Sequence, residues 1–63
     1  MTSELDIARS ANSLIERLGE AAVTHARQRV AELQATGDNA GADVWLRIIV
    51  AIDALRRDPG RLQ

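Results

Sequence analysis

Between Val44 and Leu55 the chain carries more apolar surface than one face of a helix can hold. Trp45, Ile48, Ile52 and Leu55 recur at spacings of three, four and three, which is the seam of an amphipathic helix, and Val44, Ile49 and Ala51 flank it. Leu46 and Val50 do not belong to that seam. One turn apart, they lie about 100° or more around the helix from its centre, with Ala54 beside them. A helix with a single apolar stripe is satisfied by one neighbour, whereas a helix that is apolar on two sides needs cover on both. This stretch therefore predicts an all-α protein whose last helix has a second face that its own chain does not cover.

Size makes the same demand independently. A chain of 63 residues forms one domain, spanning 1–63, and buries only about 60% of the surface that its unfolded form exposes. Chains this small are commonly reinforced by disulfides, a metal or oligomerisation. No cysteine is present, which removes disulfides and thiolate metal sites, and the single histidine, His25, does not make a zinc site alone. Oligomerisation is the remedy left. The apolar fraction of 46% overstates the core, because much of it is alanine, which adds helix propensity and little area.

Local signals divide the chain into two limbs. Ser3-Glu4-Leu5-Asp6 fits a capping box and starts a helix at about residue 4. Ala8, Ala11, Ile15 and Leu18 then recur at helical spacing, widened by Ile7 and Leu14. Beyond Gly19, Ala22, Ala26, Val30 and Leu33 continue a stripe that stays in phase with Ile15 and Leu18 at about 100° per residue. No Ser, Thr, Asp or Asn follows Gly19 to cap a new helix. The reading favoured is one long helix over 4–35, straight or bent at Gly19, with two shorter helices broken there as its alternative. Gly37 ends that limb, and Asp38 or Asn39 caps a second helix over 39–57, which stops before Asp58-Pro59-Gly60. A connection so short makes an antiparallel helical hairpin, with 58–63 as a frayed tail. Two hairpins joined through the uncovered face make a four-helix bundle, the expected homodimer.

The candidate interface is Trp45, Leu46, Ile49 and Val50, with Asn12 as a further candidate. Trp45 is the large anchor of the set, although its place in the seam favours a core role. On the phase shared across Gly19, Asn12 falls inside the first limb's apolar stripe. There a lone asparagine either fixes register or reaches water.

Charge and chemistry narrow the function classes. The net charge of −1, with nine acids against eight arginines, provides no field for nucleic acid or an anionic membrane. Asp43 with Arg47, Asp53 with Arg57, and Arg29 with Glu32 are spaced as local ion pairs, which explains most charges as a solvated face. Glu16 and Glu20 are an unfavourable like-charged pair by the same rule. Ser10, Ser13 and His25 supply the letters of a catalytic triad without a spacing that joins them, and Asp38 to Asp43 lacks the ligand pattern of a calcium loop. No enzyme activity, cofactor or metal is expected. Neither a transmembrane span nor a signal peptide is read, so the expected location is cytoplasmic.

At Gly37-Asp38, Gly41, Trp45, Ile48, Ala51-Ile52 and Leu55 the chain resembles a family of very small bacterial helical proteins of unknown function. Ala11, Leu14-Ile15, Gly19 and Ala26-Arg27 extend the resemblance over roughly residues 8–55. These are packing and turn positions, so the resemblance implies a compact helical fold and carries over no activity or ligand. The functional expectation is a non-enzymatic module for self-association or for binding another, unidentified protein. The alternative is a small regulator touching nucleic acid through Arg27, Arg29 and the C-terminal arginines.

Overall fold

The computed structural model describes residues 3–57, and among them every regular element is helical. Helix α1 spans Glu4–Leu18, a 3-10 turn occupies Gly19–Ala21, α2 spans Ala22–Ala35 and α3 spans Asn39–Arg57. The expected capping box opens α1. Ser3 Oγ accepts from the Asp6 N–H at 3.1 Å, and Asp6 Oδ2 accepts from the Ser3 N–H at 3.4 Å. The tail assigned to 58–63 lies outside the described residues.

The single long helix over 4–35 is not formed, because the chain breaks at Gly19. Its N–H still donates to the Ile15 carbonyl, closing the last turn of α1, but its backbone then turns to φ 56° and ψ −124°. That region suits glycine and strains any residue with a Cβ. A straight helix of that length would measure about 48 Å, and the molecule's longest dimension is 36 Å. The missing N-cap that favoured continuity is replaced by backbone alone. The 3-10 turn feeds α2 through an N–H···O bond from Ala22 to Gly19, with no side-chain cap. The break also separates Glu16, in α1, from Glu20, in the turn, so these acids no longer share a helix face.

The phase continuity across Gly19 depends on Ile15 and Leu18, neither of which is buried. The buried residues of α1 are Ile7, Ala11 and Leu14, and those of α2 are Ala22, Ala26 and Val30. Projected onto one helix, the two sets are centred about 90° apart. Ile15 is only half-buried and Leu18 is exposed. The bend corrects that offset and lets both helices present their apolar sides to α3.

The stop after α2 was legible and is closed by backbone hydrogen bonds. Gly37, at φ 82°, lets its N–H reach the Gln34 carbonyl at 3.1 Å while the Asp38 N–H reaches Leu33 at 2.8 Å. This is the Schellman arrangement, which satisfies the last carbonyls of the helix. Asp38 then caps α3, its Oδ1 accepting from the Gly41 N–H at 2.9 Å. A Cβ on Gly41 would come within 2.6 Å of that carboxylate, so the cap closes tightly over a residue without a side chain.

The turn Thr36–Asp38 makes α2 and α3 antiparallel neighbours, so the hairpin expected of 4–35 with 39–57 is confined to the α2 half of the first limb. Helix α1 also packs on α3, and α1 and α2 meet α3 far more than they meet each other. The core is Ile7, Ala11 and Leu14 from α1, Ala22 and Ala26 from α2, and Ile48 and Ile52 from α3, with Ile52 fully buried. Alanines at the contacts let the helices approach closely but bury little area, so the core of one copy is thin.

Replacing Gly19 with alanine should lower the urea midpoint by the equivalent of about 1–2 kcal/mol, although alanine is the better helix former. A raised midpoint with a longer maximum dimension in small-angle scattering would instead mean that the chain prefers a straight limb. For Asp38→Ala the expected loss is about 1 kcal/mol. An unchanged midpoint would mean that the Asp38–Gly41 bond contributes nothing.

Candidate functional site

Helix α3 carries apolar side chains on two sides. Its inner side holds Ile48 and Ile52, with Val44, Trp45, Ile49, Ala51 and Leu55 partly buried against the core. On the outer side Val50 is 69% exposed and Leu46 is 46% exposed. Both lie about 160° around the helix from Ile48. Flanking them are two ion pairs within the helix, Arg47 Nε to Asp43 Oδ2 at 3.3 Å and Arg57 Nη2 to Asp53 Oδ2 at 3.1 Å. All four side chains are more than half exposed, so each pair adds little stability to one copy.

The candidate residues divide into three groups. Leu46 and Val50 stand together on the outer face, as expected. Trp45 and Ile49 turn inward and are half-buried against the core. Asn12 is exposed on α1 and lies apart from α3's outer face. Its place in the stripe depended on the phase of α2. Measured from Ile7, Ala11 and Leu14, it lies about 130° off the buried side of α1.

Trp45 is held by α2. The His25 ring meets it edge-on, with centroids 5.9 Å apart and planes at 67°. The Arg29 guanidinium carbon lies 5.8 Å from the indole centroid, within cation–π range. Arg29 Nη1 also bonds Glu32 Oε1 at 2.6 Å. Arg29 is thus placed between Glu32 and the face of the tryptophan. His25 sits against Trp45, with no hydrogen bond to Ser10 or Ser13 among the described residues. No group of three or more metal-ligating side chains gathers among the described residues.

One surface feature escaped the sequence reading. An open groove of about 690 Å³ runs between the start of α1 and the second half of α3. Leu5, Ile7 and Ala8 line it from α1, and Val50, Ala51 and Ala54 from α3. Glu4 and Arg47 supply its charged lining. Leu5 is 58% exposed, so the apolar surface around Val50 continues onto the neighbouring helix. The signal was present in Leu5, an apolar residue far from the side of α1 that carries Ile7 and Ala11. What the sequence withheld was the position of α1, which only the bend at Gly19 brings beside Ala54. No described helix is long and apolar enough to cross a membrane.

Comparison of the chain with protein-family models, curated proteins and solved structures gave no match. The functional reading therefore rests on the residues of this chain.

If Arg29 stabilises Trp45 through the ring face, a double-mutant cycle of Arg29→Ala with Trp45→Leu should give a coupling of about 0.5–1 kcal/mol in urea unfolding. A control cycle of Arg47→Ala with Trp45→Leu should give a coupling near zero. Additive losses in the first cycle would reduce Arg29 to a solvated charge.

Proposed function

We propose that this chain is a non-catalytic self-association module, working as a homodimer that buries the outer face of α3. The observation that carries the reading is the exposure of Leu46 and Val50 on the side of α3 opposite its core, continuous with the apolar groove against α1. Contiguous apolar surface of this kind marks association sites more often than isolated surface residues do. The thin, alanine-rich core supports the same reading, since a second copy adds the buried area that one copy lacks.

Magnitudes say how such a dimer must be built. Burying a large aliphatic side chain fully contributes about 1.5–3 kcal/mol, and Leu46 and Val50 are already partly covered. Association itself costs about 4–15 kcal/mol. The two residues from each copy therefore need support from the groove and from the flanking charges. The four-helix bundle takes a modified form here, because Gly19 bends the first limb into α1 and α2. Each copy brings three helices, with α3 against α3 at the centre.

The test is Leu46→Glu combined with Val50→Glu. Neither residue belongs to the core, so helicity should persist by circular dichroism while the mass from light scattering falls from dimer to monomer. The melting temperature should fall with it, in a concentration-dependent way. A wild-type chain that is monomeric across the micromolar to millimolar range, or a double variant with unchanged mass and melting temperature, would remove the basis for this role.

A further inference from the structure

We infer that the second copy docks antiparallel, α3 against α3, across a two-fold axis level with Val50. The inference rests on the self-association reading and adds its direction and register. The outer face of α3 carries Asp43, Leu46, Arg47, Val50, Asp53, Ala54 and Arg57, and Val50 is its midpoint. In an antiparallel pair related by such an axis, residues equally far before and after Val50 fall in the same layer. Val50 then meets Val50 of the second copy, and Leu46 shares a layer with Ala54. Arg47 shares one with Asp53, and Asp43 with Arg57.

Every layer of this arrangement is complementary. The large Leu46 is matched with the small Ala54, which lines the groove together with Leu5 and Val50. The groove of one copy is thus the nearest receptacle for Leu46 of the other. At each end the Asp43–Arg47 pair of one copy lies beside the Asp53–Arg57 pair of the other with its polarity reversed. Each pair is already held within its own helix, at 3.3 and 3.1 Å, so docking brings two pre-formed pairs into a network of four charges.

The alternatives are penalised by the same residues. A parallel pair sets Asp43 beside Asp43, Arg47 beside Arg47, and likewise Asp53 and Arg57. Sliding the antiparallel pair by about one turn in one direction brings Asp43 level with Asp53; in the other it brings Arg47 level with Arg57. Like charges in one layer act against both the wrong direction and the wrong register. The apolar residues alone do not choose between these arrangements, and the charges do.

The chain has no cysteine, so single substitutions report the register cleanly. In oxidised glutathione, Val50→Cys should form a disulfide-linked dimer, because its two copies meet at the axis. Asp43→Cys should not, since the axis puts its copies about 21 Å apart along the helices. An equimolar mixture of Asp43→Cys and Arg57→Cys should cross-link to each other. The Val50→Cys reaction should outrun that of Asp43→Cys alone by roughly tenfold or more, because held thiols react at their effective concentration. Wild-type light scattering separates the two ways of failing. A dimeric mass with Asp43→Cys cross-linking to itself as fast as Val50→Cys overturns the antiparallel register and leaves self-association standing. A monomeric mass with all cysteine variants cross-linking at the same slow rate overturns both.

Discussion

Ile48 and Ile52 on α3 are the seat on which everything else rests. Helices α1 and α2 each pack chiefly on α3, and the two isoleucines are the large residues that α3 inserts into the shared core. Around them the other contact positions include Ala11, Ala22 and Ala26, which bring backbones close but bury little area. The consequence is a molecule held together along one rod. Its other two helices cover one side of that rod and leave the opposite side to solvent.

That asymmetry explains why the proposed association surface falls where it does. Helices α1 and α2 pack on the side of α3 that carries Ile48 and Ile52 and leave Leu46 and Val50 exposed. The bend at Gly19 leaves an apolar groove where the start of α1 meets α3, so the uncovered surface has a contour. Charges are distributed accordingly. Arg29 and His25 seat Trp45 on the inner side, while Asp43, Arg47, Asp53 and Arg57 frame the outer face as two ordered pairs. A palindromic arrangement of opposite charges about Val50 has no use in a lone helix beyond weak local pairing. Across a two-fold axis it specifies direction and register.

The turns and the face of α3 were legible because each depends on neighbours in the chain. Ser3 with Asp6, Gly37 with Gln34, and Asp38 with Leu33 and Gly41 make contacts over three to five residues, which spacing alone reveals. The three expected ion pairs form for the same reason. Ile49 and Asn12 were harder. The first sits at the border of the inner side, where a small rotation of α3 decides between core and surface. The second was placed by a phase borrowed from a helix to which it does not belong.

By itself the sequence determined the helical class, the two firm ends around Gly37 and a last helix greasy on two sides, since helix propensity, capping and periodicity are local properties. Tertiary structure alone decided that Gly19 bends the first limb. There the helical hydrogen bonds given up at the break are offset only when both halves bury their stripes against α3, a gain that no local window contains. The same distant contact decided that Leu5 would stand beside Val50 and Ala54, turning an uncovered stripe into a groove.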